Sequence, residues 1–289
     1  MKNLNILGRP DGLGNRIEEI IIADAYAVKK NNNINYIWNN KFSHRNYPIR
    51  IKAKNINLLK DYNENYTIKN LDEFEINLLT KEDILGSAKN IKPTFNINFA
   101  ETIKPIGIHI RGTDRINDNG HPHFMKNNDE FISYLSKTID LINARSPKYV
   151  FVCADHTGVR EIFIKNLRKE INIVTPVIDA NIENEYIDFF SLSMCKEIYM
   201  CSKFSSFAIT ASMIGNIPVI VFNKDSRVVE RYKALFQFEL NIPYNHQLAQ
   251  SIKERFPLAK SKHAKNEKRT FKELIINMMK IFRRKFQVY

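Results

Sequence analysis

The chain has 289 residues, is 44% hydrophobic and carries a net charge of +13, which is room for one large or two ordinary domains with a substantial core. No apolar run approaches the roughly 20 residues of a membrane span, and the start, Met1 to Gly8, reads as a first strand and not as a signal peptide, so a cytoplasmic protein is expected. The cysteines Cys153, Cys195 and Cys201 lie in apolar segments without metal-ligand spacing, which predicts buried thiols and no disulfide framework.

In chain order, Leu4 to Leu7 is a short strand. Gly8-Arg9-Pro10-Asp11-Gly12-Leu13-Gly14-Asn15 follows, a loop holding three of the nine glycines. A helix comes next, with Ile17, Ile20, Ile21 and Val28 on its apolar face. Strand, glycine loop, helix is how α/β proteins bring backbone N–H groups and a helix N-terminus to a phosphate. The loop is neither a P-loop nor the dinucleotide fingerprint, so taken alone the signal is weak and a plain tight turn is the more frequent explanation. Ile34 to Trp38 closes a strand–helix–strand unit. From Asn39 to Ala100 the apolar positions are irregular, which predicts short elements and loops.

The chain restarts near Lys104-Pro105 with an apolar strand, Ile106 to Ile110, that turns abruptly polar: Gly107-Ile108-His109-Ile110-Arg111-Gly112-Thr113-Asp114-Arg115. Alternation puts Ile108 and Ile110 on one face and His109 and Arg111 on the other. A residue at the carboxyl end of such a strand faces the crevice where α/β proteins bind ligands. The guanidinium of Arg111 offers a rigid fork to two phosphate oxygens. An ordinary turn closed by a surface ion pair is the bland alternative.

Asp129 is expected to cap a helix bearing Ile132, Leu135, Ile139 and Ile142. Tyr149 to Cys153 is a strand ending in Ala154-Asp155, then a helix of about Gly158 to Glu170, then a strand from Ile171 to Ile178. Tyr186 to Met194, with Asp188, is helical. A strand from Glu197 to Met200, a polar turn from Ser202 to Phe207, a small-residue helix from Ala208 to Ile214 and a strand from Pro218 to Phe222 complete the body. Strands alternating with helices imply parallel sheets covered on both faces. The last 31 residues, Ala259 to Tyr289, hold ten Lys or Arg against two Glu, so +8 of the +13 belongs to the tail. There Phe271, Leu274, Ile275, Met278, Phe282 and Phe286 follow the helical period, flanked by basic residues. Such a helix docks on the body or lies on an anionic membrane surface.

Three polar turns thus stand at the ends of three apolar strands. Their inventory, an arginine, hydroxyls, backbone N–H groups and a carboxylate on Asp188, suits a nucleoside diphosphate. No Asp-x-Asp or histidine cluster is present to hold a metal. At these residues the chain resembles the fucosyltransferase superfamily, the group of the α1,6-, α1,2- and protein O-fucosyltransferases. His109-x-Arg111-x-x-Asp114 is similar to their central motif, Val152 to Asp155 to their Ala-Thr-Asp strand end, Asp188 to Ser206 to their third motif, and Gly12-Leu13-Gly14-Asn15-Arg16 to their N-terminal glycine loop. The likeness covers most of 1–38 and 104–222.

The resemblance implies an α/β fold of the GT-B type, two Rossmann-like domains facing a central cleft, and a metal-independent, inverting glycosyltransferase using a GDP-sugar. An N-terminal acceptor-side domain is expected over 1–103, a nucleotide-sugar domain over 104–250 and a basic amphipathic segment over 251–289. The resemblance implies donor contacts from Gly12, Gly14, Asn15, His109, Arg111, Asp155, Asp188, Ser205, Ser206 and Phe207, with Arg111 on the β-phosphate and His109 and Asp188 on the guanine. Arg111, Asp114, Arg115 and Asp118 form the expected catalytic set, Asp114 and Arg115 lining the sugar end. The chain departs from the α1,6 enzymes at Gly112, where they carry a second basic residue, and at Asn119, where their glutamate base falls. Asp118, His121 and His123 stand nearby as bases.

The function expected is transfer of fucose or a related sugar to a bacterial surface glycan, free or lipid-linked, with no cofactor and no metal. Residues 259–289 would hold the enzyme to an anionic membrane surface. Two rivals stay open: a polysaccharide pyruvyl transferase or a transferase of another nucleotide sugar, and a basic nucleic-acid-binding protein. No known nucleic-acid motif appears, so no nucleic-acid partner is expected.

Overall fold

The structure is a computed structural model that describes residues 3–39, 47–60, 67–100, 103–112, 116, 124–179, 181–222, 236–239 and 241–255. The elements in order are β1 (Asn3–Leu7), α1 (Leu13–Lys30), β2 (Asn33–Ile37), β3 (Ile51–Lys52), β4 (Ile56–Leu59), β5 (Ile68–Lys69), α2 (Lys81–Ala88), β6 (Lys92–Pro93) and β7 (Ile97–Asn98). Then come β8 (Ile106–Ile110), α3 (Asn128–Arg145), β9 (Tyr149–Ala154), α4 (Thr157–Lys165), β10 (Asn172–Ile173), β11 (Val177–Ile178), α5 (Asn184–Ser193), β12 (Ile198–Cys201), α6 (Ser206–Gly215), β13 (Val219–Val221), β14 (Phe236–Phe238) and α7 (His246–Arg255).

The expected parallel α/β architecture is present as two sheets. The first has the order β4-β2-β1-β5, the second β10-β9-β8-β12-β13-β14, and every pairing within them is parallel. Counted within its own half, the second sheet runs 3-2-1-4-5-6, the doubly wound order whose ligand crevice opens where the order reverses. That switch lies between β8 and β12. The first sheet reverses in the same way at β1, between β2 and β5.

Alternation along the strands explains how the layers assemble. In the second sheet Ile108, Ile110, Val150, Val152, Tyr199 and Ile220 face α3, α4 and α7. Their neighbours Phe151, Cys153, Ile198, Met200, Val219 and Val221 join a core shared with α1, α5, α6 and the first sheet. One continuous apolar interior therefore ties the two sheets together through α1, α5 and α6. All three cysteines are free and buried, as expected.

Several local expectations are corrected. The helix expected to begin at Asp129 is capped by Asn127, whose side chain accepts from the Glu130 N–H at 2.9 Å, leaving Asp129 exposed in the first turn. The helix expected to reach Glu170 ends at Lys165. The single strand over 171–178 is two pieces: β10 stays in the large sheet, while β11 pairs antiparallel with β7. Pro176, which has no N–H to give a ladder, stands between them. Val28 is 59% exposed and not on the buried face of α1, because Ile17, Ile20, Ile21 and Tyr26 already turn that face inward. The irregular 39–100 stretch does hold short elements, and β4 and β5 are strands of the first sheet, which their mixed composition hid.

Candidate active site

The glycine loop is shaped by buried polar groups on α1. Glu19, 6% exposed, accepts from the Tyr36 hydroxyl at 2.6 Å and from the Arg9 backbone N–H at 2.8 Å. Burial raises its pKa, and these two bonds oppose the rise. Arg16, 1% exposed, donates from Nε to the Asp11 carbonyl at 2.6 Å and lies over the rings of Trp38 and Tyr47. Burial lowers its pKa. These two side chains fix both ends of Arg9–Asp11, so the loop arrives preformed at the start of α1, whose N-cap is Gly12.

The loop then meets the serine turn from nearly two hundred residues later. A side chain on Gly14 would put its Cβ 2.5 Å from the Phe207 Cα and 2.6 Å from the Phe207 nitrogen. Only glycine lets the two helix starts approach so closely. Thr210, fully buried, donates to the Gly14 carbonyl at 3.2 Å and locks the contact. Two helix N-termini, each with backbone N–H groups that no helical carbonyl can satisfy, therefore lie side by side with their positive ends together.

At the start of α6, Ser205 is the N-cap, yet its side chain makes no capping bond. Its hydroxyl is fully buried and, among the described residues, has no hydrogen-bond partner; the Ser202 hydroxyl, 2% exposed, is in the same state. Buried hydroxyls are ordinarily satisfied; Ser136 in α3 and Ser191 in α5 are also without a partner among the described residues, but only Ser202 and Ser205 stand beside a helix N-terminus.

β8 lies under this junction. His109, 6% exposed, stacks on Phe207 with ring centroids 5.2 Å apart and planes inclined by 20°. Phe189 meets the same Phe207 ring edge-on at 5.2 Å. Arg111 stands half-buried just past the carboxyl end of β8. The turn after it is held by Asp155, whose carboxylate accepts from the Gly112 N–H at 3.2 Å while its own N–H donates to the Ile110 carbonyl. Gly112 itself abuts the Phe131 ring, which a Cβ would strike at 2.3 Å. A side chain at this position would require that ring to move.

Asp188 projects from α5, one residue before Phe189. Burial pushes its pKa up to about 7, against the pull of the Arg160 charge. Arg160 is fixed by its Nε bond to the Val152 carbonyl at 2.9 Å.

Of the residues expected from sequence, Gly14, Ser206, Phe207 and His109 form one contiguous group, with Ser205 and Arg111 at its edge. Asp155 supports the Arg111 turn from beneath. Gly12 starts α1, and Asn15 turns away toward Asp11, to which it donates at 3.3 Å. Asp114, Arg115, Asp118, Asn119, His121 and His123 lie outside the described residues, as does the tail over 256–289. Sequence reasoning missed Glu19, Arg16 and Thr210 as organisers of the glycine loop. The signal was there for Glu19: a carboxylate inside the apolar run Ile17 to Ile22 must be partnered. Among the described residues no group of three or more His, Cys, Asp or Glu is placed to hold a metal ion, and no helix is long and apolar enough to cross a membrane.

A doubly wound sheet opens a ligand crevice at its switch point, and here an arginine and a helix-start hydroxyl cluster stand beside it. The model of glycosyl transferase family 11 matches residues 15–242, and the chain belongs to that family. It is a glycosyltransferase of the fucosyltransferase superfamily, as the motifs led us to expect. No curated protein matches it in sequence. Among solved structures it is similar to the fucosyltransferase NodZ from Bradyrhizobium, at 13% identity and a TM-score of 0.48, covering 78% of this chain and 97% of that one. It is also similar to POFUT1 in complex with GDP, at 9% identity and a TM-score of 0.49, covering 75% and 97%.

Proposed function

We propose that the protein is a metal-independent, inverting glycosyltransferase of the GT-B type that moves fucose or a related sugar from a GDP-sugar to a bacterial surface glycan. The observation that carries this reading is the junction of Gly14 with the Ser206–Phe207 backbone, directly above the end of β8. It concentrates two helix N-termini, two orphan hydroxyls and Arg111 at one switch point, which is what a diphosphate needs.

In this reading residues 1–103 form the acceptor-side domain, 104–250 the donor domain and 251–289 a basic segment, of which 259–289 hold the enzyme at an anionic membrane surface on the cytoplasmic side. The donor's guanine lies against Phe207 and His109, with the Asp188 carboxylate accepting from its ring N–H and amino group. Gly12, Gly14, Ser205 and Ser206 receive the phosphates.

The acceptor hydroxyl attacks the anomeric carbon from the face opposite the diphosphate. The new glycosidic C–O bond forms as the bond to the leaving oxygen breaks, which inverts the carbon. The negative charge gathering on the β-phosphate is met by the Arg111 guanidinium and the two helix dipoles. Asp114 and Arg115 border the sugar, and Asp118 takes the proton that the acceptor hydroxyl loses. No cofactor and no nucleic acid takes part.

The test is sugar transfer or donor hydrolysis over a panel of nucleotide sugars, in EDTA, with Arg111→Ala as control. Turnover of GDP-fucose or a related GDP-sugar that persists in EDTA and disappears in the variant is expected. Thermal stabilisation by CMP or phosphoenolpyruvate but not by GDP would replace this reading with that of a pyruvyl transferase or a transferase of another donor.

A further inference from the structure

The amino edge of the second sheet lies opposite the Arg111 crevice and carries a chemistry of its own. A cavity of about 410 Å³ opens on it, where β9, β8 and β12 begin side by side. Lys104 enters it two residues before β8, Lys148 one residue before β9 and Lys196 two residues before β12. Strand register explains the convergence. Ile106 pairs with Val150 and Ile198 with Gly107, so two residues further back Lys104 stands level with Lys148, and Lys196 with Pro105. The backbone there is held in place: the Lys196 N–H donates to the Pro105 carbonyl at 2.9 Å and the Asn172 N–H to the Lys148 carbonyl at 3.0 Å.

Adjacent strands run about 4.8 Å apart, and like charges set side by side across such a gap repel. Three ammonium groups from three separate segments therefore share one concavity at a cost to the empty protein. Glu197 lines the same cavity, but its carboxylate is already engaged by Arg145 at 3.4 Å and by the Tyr199 hydroxyl at 3.2 Å. The Lys148 ammonium lies 5.1 Å from the centre of the Tyr149 ring, a cation–π contact that restrains it. Lysine presents a compact charge with three donors. Several of them around one cavity suit the tetrahedral oxygens of a phosphate, and an ion with two charges turns their mutual repulsion into attraction.

We infer that this cavity is a binding site for a doubly charged phosphate group, held by Lys104, Lys148 and Lys196 and carried by a free phosphate compound or by a lipid headgroup. β8, five residues long, separates it from Arg111, a distance of roughly 16 Å or more. That exceeds the screening length of about 8 Å at physiological salt, so the two anion sites act independently. The inference goes beyond the donor reading and does not rest on it. The site is also remote from the place where the basic segment begins. α7 ends beside the start of α3, where the Lys253 ammonium donates to Asp129 at 2.8 Å, and α3 starts on the carboxyl side of the sheet and ends, at Arg145, beside Glu197.

The experiment is calorimetric titration of inorganic phosphate into the full chain, at low ionic strength and about pH 8, where the second phosphate proton is gone. Acetate at matched ionic strength is the control, since a single charge cannot bridge the lysines. Phosphate should bind at least ~10-fold more tightly than acetate. The double variant Lys104→Gln/Lys148→Gln should weaken phosphate about tenfold or more, the scale of lost charge-assisted hydrogen bonds, and Lys196→Gln should weaken it several-fold. With no ligand, the double variant should melt at or slightly above the parent temperature, because the repulsion is relieved. Arg111→Ala should leave this binding in place. Pelleting with phosphatidylcholine vesicles, with and without phosphatidic acid, distinguishes the sources. Loss of phosphatidic-acid-dependent pelleting in the double variant assigns the site to a headgroup, and unchanged pelleting assigns it to a free phosphate compound. No phosphate binding, equal binding of acetate, lysine variants that bind like the parent, or loss in Arg111→Ala alone would overturn the inference. A chain that binds phosphate through these lysines yet ignores GDP would instead sink the donor reading and leave this one standing.

Discussion

The two parallel sheets share a topological rule and differ in what they place at its consequence. Each reverses strand order at its first strand, β1 or β8, and each therefore opens a crevice at its carboxyl edge. At β8 the crevice is furnished with Arg111, serine hydroxyls and two helix starts. At β1 it is furnished with Glu18, Glu19, Asp72 and asparagines. The backbone makes each gap, and the described side chains that line it differ in charge and polarity.

The largest way to break the contrast is to remove the cation that defines the crevice at β8, the second of the two in chain order. Arg111→Ala should lower kcat by ~10³-fold, the scale of losing a preorganised donor to a developing charge, with a smaller loss of GDP affinity. Arg111→Lys should recover only part of this, because an ammonium keeps the charge and loses the two-pronged geometry. Steady-state kinetics separates the two variants. A kcat unchanged in Arg111→Ala would place the chemistry elsewhere.

Next in size is the wall between the crevices. Gly14→Ala sets a methyl group within 2.5 Å of the Phe207 backbone, and backbone, unlike a side chain, cannot step aside. α1 and α6 must separate, at a cost of about 2–3 kcal/mol. The melting temperature should fall by several degrees, and GDP should no longer restore it to the parent's value. A fully stable Gly14→Ala that binds GDP normally would show that the close approach is dispensable.

How much of this was legible in the sequence follows from the range of the forces involved. Strand alternation and helix period are local, so Ile108 and Ile110 facing one way and His109 the other could be read directly from order. The serine turn and the glycine loop were each visible as polar interruptions of apolar runs. Their contact was not, since nothing local says that Gly14 abuts Phe207. Short β5 failed for the opposite reason: two residues carry no period, and only pairing with β1 makes them a strand. The crevice at β1 was illegible altogether, because Asn39 past β2 and the Asn70–Asp72 turn past β5 are far apart in sequence and only the sheet brings them together.

Asp188 gives a pH-dependent test of the second crevice. Its folded pKa of about 7 lies above the ordinary 3.8 because burial disfavours the charge. Free protein thus becomes ionised at this site as pH rises through 7. Only the ionised carboxylate accepts two guanine N–H bonds at once, so GDP affinity should climb between pH 6 and 8 and then level. Asp188→Asn should flatten the profile and cost about tenfold at pH 8. The stability sign runs the other way. With no ligand, burial of the charge costs stability as pH rises from 3.8 toward 7, so the asparagine variant should gain on the parent over that window and match it below. Calorimetric titrations at three pH values read the first effect and thermal melts the second.

The smallest expected effect is the most pointed, because it asks whether the second crevice was built for an absent guest. The Ser205 hydroxyl is fully buried with no partner among the described residues, and such a group destabilises the free protein by about 1 kcal/mol or more. Ser205→Ala removes that cost and leaves no cavity of consequence, so the ligand-free variant should melt at or slightly above the parent temperature. If the hydroxyl is there to meet a phosphate oxygen, GDP should bind the same variant several-fold more weakly, and the stabilisation by saturating GDP should shrink accordingly. A substitution that strengthens the empty protein and weakens the loaded one separates a binding group from a structural one. Were the variant simply less stable in both states, the hydroxyl would be an N-cap after all, and the case for the α6 start as a phosphate seat would fall back on the backbone N–H groups alone.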